Sequence, residues 1–140
     1  MKLHSILSAL MGTILGATLL FIVPNQPVAQ TGGCVNVAGA WEIASKIDPG
    51  TCEEQIDPVE VEGKFEQNGC DVTLDIGVTL KGKVTGNRVI LKGEYWWMGT
   101  TTKDIDLVIH GNTLTGKGKW TYSMLGYQCA GTEEFEGQRK

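Results

Sequence analysis

The sequence predicts an all-β fold: a single up-and-down antiparallel barrel of about eight strands, preceded by an N-terminal signal or anchor helix. Three observations predict it. Apolar and charged residues alternate with period two through nearly all of the chain after residue 35, and helical periodicity is absent there. Two-residue turn signals, Asn68-Gly69, Gly86-Asn87 and Gly111-Asn112, join successive runs into tight hairpins. A flat sheet of that many strands would expose two edges, and closure removes both. Evenly spaced, local hairpins favour a meandering barrel over a two-sheet sandwich with long crossings.

The first element is not part of the barrel. Lys2 is followed by a run without formal charge from Ser5 to Val23 and then by a Pro/Asn/Gln-rich stretch. That order of basic start, apolar core and polar flank is a secretory signal over residues 1–29, with cleavage after Ala29. An uncleaved anchor is the competing reading, because a run of about 19 residues just reaches across a bilayer. Residues 30–38 read as a linker and residues 39–140 as the barrel domain.

The strands follow in order. "AWEIAS" (40–45) opens the series, and "VEVEGKF" (59–65) alternates valine, glycine and phenylalanine with charge. "DVTLDI" (71–76) and "VTLKGKV" (78–84) form the next pair. "RVILKGEYW" (88–96), with Trp97 as its last inward residue, and "DIDLVIH" (104–110) are separated by "MGTTTK", read as a loop. "TLTGKGKWTY" (113–122) and "GTEEFEG" (131–137) complete the set. Residues 86–96 and 111–121 share the pattern G-N-x-[VL]-x-x-K-G-[EK]-[YW], a repeat of one hairpin strand rather than of a solenoid unit.

Charge and cysteine content narrow the function classes. Lys2 is the sole charged residue before residue 30, which leaves 11 basic against 16 acidic residues and a net charge of −5 for the remainder. With no basic cluster, nucleic acid is excluded as a partner, and a membrane is engaged only through the N-terminal segment if it is retained. The four cysteines, Cys34, Cys52, Cys70 and Cys129, all follow the signal, which points to two disulfides in an oxidising compartment, extracellular or periplasmic. No C-x-x-C pair is present and neither His4 nor His110 neighbours a cysteine, so no metal or other cofactor is implied. In a meander the connections alternate between the two ends. Cys34 precedes the first strand and Cys70 follows the second; Cys52 follows the first and Cys129 follows the seventh. Parity therefore pairs Cys34 with Cys70 and Cys52 with Cys129.

Gly39-Ala40-Trp41 opens the first strand and Arg139 follows the last. In this respect the chain resembles the calycin superfamily of lipocalin-like and avidin-like barrels. The resemblance implies that Arg139 covers Trp41 where the barrel closes. It implies no particular ligand, because a second lipocalin motif and a biotin site are both missing.

Charged positions define the outer face, and their neighbours must then point inward. Arg88, Lys92 and Glu94 outward place Val89, Leu91, Gly93, Tyr95 and Trp97 inward. Lys117 and Lys119 outward place Trp120 and Tyr122 inward. Glu134 and Glu136 outward place Glu133 inside beside Phe135. Tyr95, Trp97, Trp120, Tyr122 and Glu133 are thus the candidate ligand-binding residues at a barrel mouth. The alternative is an aromatic plug. A buried Glu133 must be solvated, hydrogen-bonded to Tyr122, Trp120 or Ser45, or in contact with a ligand. The ligand reading requires a void beside the inward Gly93, Gly116 and Gly118; filled glycine positions count against it and move the function toward a partner-binding surface. No nucleophile motif, phosphate loop or calcium loop is visible, so the chain is expected not to be an enzyme. The leading expectation is an exported, disulfide-stabilised barrel that binds a small apolar or amphipathic molecule. The alternatives are a protein-interaction module, such as an inhibitor of an exported protease, using Trp96 and Met98 or the segment before Gly39, and an isomerase or cyclase using Glu133.

Overall fold

The computed structural model describes residues 33–140; the expected signal (1–29) and the start of the expected linker lie outside the described residues. Eight strands run in chain order: β1 Gly39–Asp48, β2 Val59–Asn68, β3 Asp71–Asp75, β4 Thr79–Thr85, β5 Arg88–Trp96, β6 Thr100–His110, β7 Thr113–Met124 and β8 Tyr127–Arg139. Each pairs antiparallel with its neighbour, and β8 returns to β1, with Trp41 opposite Arg139, so the sheet closes into an up-and-down barrel.

The turns work as their residues require. Gly69, Gly86 and Gly111 each take a positive φ, near 60°, at the first position of a two-residue hairpin, where a side chain would be strained. Alternation then directs the interior. Trp41, Phe65, Leu80, Leu91, Leu107 and Leu114 are fully buried and form the body of the core.

One end is sealed. Residues 34–38 cross the opening beside Trp41. The Trp41 indole N–H donates to the Val37 carbonyl at 2.9 Å, and Val37 N–H donates to Gln67 Oε1 at 2.7 Å. Gln67 Nε2 in turn donates to the Val35 carbonyl at 3.0 Å. The second half of the expected linker is therefore an ordered lid on the core, with Val37 fully buried. The Cys34–Cys70 disulfide fastens this segment, with a Cα separation of 5.8 Å. Cys52–Cys129 lies at the opposite end, with a Cα separation of 5.2 Å. Both pairings are those that strand parity predicts.

Arg139 completes the seal. Its guanidinium stacks on the Trp41 ring, 4.6 Å from the centroid. It also donates to the carbonyls of Ala38 at 2.7 Å and Asn36 at 2.9 Å. Burial pushes this guanidinium below its ordinary pKa.

Several boundaries differ from the sequence expectation: β7 runs on to Met124 and β8 begins at Tyr127, and two further differences bear on the open end. β6 begins at Thr100, not at Asp104. The run Thr100–Thr102 carries no apolar–polar contrast, so its alternation is invisible, yet it pairs with Trp96, Tyr95 and Glu94 on one side and with β7 on the other. β5 ends at Trp96. Trp97 therefore lies beyond the strand, and the alternation that would turn it inward no longer applies. It is 74% exposed, and the chain then turns through Met98 at φ 52°. The expectation that Trp97 faces the interior is corrected accordingly; the facing of Tyr95 and Trp96 follows the register as expected.

Candidate functional site

The open end is defined by what alternation forces into it. On β8, Glu134 and Glu136 are exposed, so Glu133 enters the barrel and is only 2% exposed. The residue opposite it on β7 is Gly118. A Cβ at that position would lie 2.9 Å from Glu133 Cγ and 3.0 Å from a Phe135 ring carbon. Glycine there is what leaves the carboxylate room.

Two donors meet Glu133. Ser45 Oγ, inward on β1, donates to Oε2 at 3.1 Å. Lys103, inward on β6, donates its ammonium to the same oxygen at 3.0 Å and sits 2.9 Å from Oε1. The carboxylate is thus spanned by one ammonium. The Lys103 side chain is itself largely buried, 15% exposed. Removing either partner from such a pair leaves an uncompensated buried charge, at a cost of about 3–5 kcal/mol.

Sequence reasoning missed Lys103 because the strand containing it was read as loop. The signal was present nonetheless. Inward Ile105 and Leu107 fix the parity of β6, and two residues back along the same face stand Lys103 and the buried Thr101.

The pair borders a cavity of about 250 Å³. Side chains of β1, β2, β3, β5, β6 and β8 and of the β3–β4 turn line the rest of it, among them Ile43, Leu74, Ile76, Tyr95, Leu107 and Phe135. The lining is aliphatic apart from Ser45, Tyr95, Lys103, Glu133 and Phe135. Its volume falls between that of a cavity that holds benzene, about 150 Å³, and the roughly 300 Å³ at which drug-sized pockets begin.

The five candidate residues do not converge. Tyr95 and Glu133 line the cavity. Trp120 is buried but fills the space above Gly131, where an added Cβ would lie 2.5 Å from its ring, and its indole N–H reaches the Thr132 carbonyl at 3.4 Å. Tyr122 supports a neighbouring loop by donating its hydroxyl to the Met98 carbonyl at 2.7 Å. Trp97 is outside. The inward glycines are filled as well. A Cβ at Gly93 would lie 2.2 Å from Leu80, and one at Gly116 2.6 Å from Leu107. The cavity lies instead between the pair and apolar side chains of β1, β2, β3 and β6.

The rim of this end carries a second feature. Trp96, Trp97 and Met98 at the β5–β6 turn and Met124, Leu125 and Tyr127 at the β7–β8 turn are all exposed. Residues 95–102 and 120–132 contain no charged side chain. Met98 and Leu125 are the non-glycine residues with positive φ among the described residues, at 52° and 46°. Holding a leucine there costs roughly 1–2 kcal/mol, and Leu125 is 99% exposed. A wider trough on the outer face, between Arg88, Asp106, Lys117 and Glu134, runs between outward charged side chains and touches no part of the buried pair.

Comparison of the chain with family models, with curated proteins and with solved structures gives no match. The functional reading therefore rests on geometry.

Proposed function

We propose that this protein is an exported, non-catalytic barrel that binds a small apolar or amphipathic molecule at its open end. The observation that carries the reading is the aliphatic cavity bordered by the Lys103–Glu133 pair. Filling a core with hydrophobic residues is usually at least as stable as keeping a buried ion pair, by about 1–4 kcal/mol. A pair kept beside unfilled space suits recognition better than stability. Glu133 already accepts from Ser45 and Lys103, an arrangement that favours an electrostatic anchor over a proton acceptor and leaves the isomerase or cyclase reading with less support. Two disulfides and the signal-like start support export to an oxidising compartment. The Arg139–Trp41 stack is the contact that kinship with calycins would require.

The test is binding of 1-aminonaphthalene, a neutral fluorophore small enough for the cavity. Its emission should shift with the wild-type barrel and not with Ile76→Trp, which places a ring in the cavity, while circular dichroism shows the fold retained. Equal binding by the two proteins overturns the reading.

A second reading, a protein-interaction module, draws on the six exposed apolar side chains of the rim and on the filled glycine positions. Contiguous apolar surface of this kind marks interaction sites. Here the immobilised barrel should retain an exported protein of its host, and Trp96→Ala with Leu125→Asn should release it.

A further inference from the structure

We infer that the cavity selects an uncharged ligand bearing one hydrogen-bond acceptor oxygen, a ketone, aldehyde, ester or alcohol of about ten non-hydrogen atoms, and that Lys103 is the residue that receives this oxygen. The inference rests on the ligand-binding reading above and adds the chemical class.

Consider the donors and acceptors in the site. Glu133 is an acceptor only: Oε2 accepts from Lys103 and Ser45, while the buried Oε1 lies 2.9 Å from the Lys103 ammonium as an ion pair and receives no hydrogen bond among the described residues. Lys103 has three N–H donors. Its bonded partner among the described residues is Glu133, so at least one N–H has no acceptor among them, and Lys103 lines the cavity. A ligand can supply what that N–H lacks. An acceptor oxygen gains a charge-assisted hydrogen bond, which a hydrocarbon of the same shape cannot make.

Next, consider the charge. Lys103 and Glu133 cancel, and the aliphatic wall of Ile43, Val61, Leu74 and Ile76 offers no counter-charge. A carboxylate ligand would place a second anion beside Glu133, and an ammonium ligand a second cation beside Lys103. Either leaves one uncompensated charge in a low-dielectric space. The built-in pair thus supplies a positive donor without supplying net charge. That combination admits dipoles and rejects ions. The cavity volume, about 250 Å³, sets the size limit and excludes long-chain lipids from full enclosure.

Four probes of matched size separate these possibilities: acetophenone, isopropylbenzene, benzoate and benzamidinium. Their affinities are measured by ligand-observed NMR on the full barrel with both disulfides intact. Acetophenone should bind at least about tenfold more tightly than isopropylbenzene, since hydrogen bonds to charged groups contribute about 1.5–3 kcal/mol. Both ions should bind more weakly than isopropylbenzene. The neutral double variant Lys103→Met with Glu133→Gln avoids stranding a buried charge. It removes the ammonium and leaves only neutral amide and hydroxyl donors, so the preference for acetophenone over isopropylbenzene should fall well below tenfold. Equal affinity for those two in the wild type, or tightest binding of benzoate or benzamidinium, overturns the inference while leaving the ligand-binding reading in place. Binding of none of the four, with Ile76→Trp indistinguishable from wild type, overturns both.

Discussion

The two ends of this barrel are made from the same alternating strands and treat their openings in opposite ways. At the closed end the segment 34–38 lies over the core, and Trp41, Gln67 and Arg139 all bond to its backbone. A disulfide locks it there. At the open end the interior holds a cavity and a buried ion pair, and two uncharged hairpin tips project apolar side chains into solvent. The disulfide at that end, Cys52–Cys129, ties the β1–β2 connection to β8 without crossing the mouth. The contrast teaches that stability need not be spread evenly. A sealed end can carry the costs of an end that stays open, strained and polar inside.

The largest effect should come from the open end. Lys103→Met leaves Glu133 without its counter-charge and should lower unfolding free energy by about 3–5 kcal/mol in urea denaturation. The double variant with Glu133→Gln should recover most of that loss. If the single variant is harmless, the pair is not the electrostatic centre of this end.

Next come the disulfides, which separate the ends directly. Replacing Cys34 and Cys70 by serine should cost about 2–4 kcal/mol. It should also speed amide exchange at Val35 and Val37, whose N–H groups bond to Gly86 and Gln67. Replacing Cys52 and Cys129 should cost a similar amount and leave those two amides protected. Equal deprotection by both pairs would mean that the ends unfold as one unit.

A smaller effect is expected at Arg139. Lysine cannot reproduce the planar stack on Trp41 together with two carbonyl contacts, so Arg139→Lys should destabilise by roughly 1–2 kcal/mol. An unchanged melting temperature would show that the lid is held by its disulfide alone.

The smallest effect has the opposite sign. Leu125 is fully solvent-exposed in a left-handed conformation and precedes Gly126, which also has positive φ. Leu125→Asn converts the turn to Asn-Gly, the favoured pair for this geometry, and should raise stability by up to about 1 kcal/mol. A stabilised variant that no longer retains a partner would identify the rim as a surface kept at the expense of stability. A destabilised one would show that Leu125 makes contacts the fold needs.

Much of this could be read from residue order. Strand number, closure, the inward sets through Tyr95, the burial of Glu133 and both disulfide pairings follow from period-two alternation and the parity of hairpins. What was illegible lies at strand ends. Thr100–Thr102 alternates without contrast, so the strand that turns Lys103 inward could not be distinguished from loop. Trp97 continues an alternating pattern, but the ladder to β6 stops at Trp96 and the next residue turns left-handed. The lid was hidden for another reason: nothing in "CVNVA" alternates with charge, and apart from Trp41 the side chains that hold its backbone, Gln67 and Arg139, lie about thirty and one hundred residues away.

By itself, then, the sequence determined the faces of the strands, because alternation is a local property that every residue on a strand obeys. It also determined which cysteines share an end, because a meander leaves no freedom in that parity. Only the tertiary structure decided where each strand stops, which end is sealed, and that Lys103 meets Glu133 across a space the aliphatic wall does not fill. Those outcomes depend on pairing and volume between segments far apart in the chain, and neither quantity is written in any local stretch of residues.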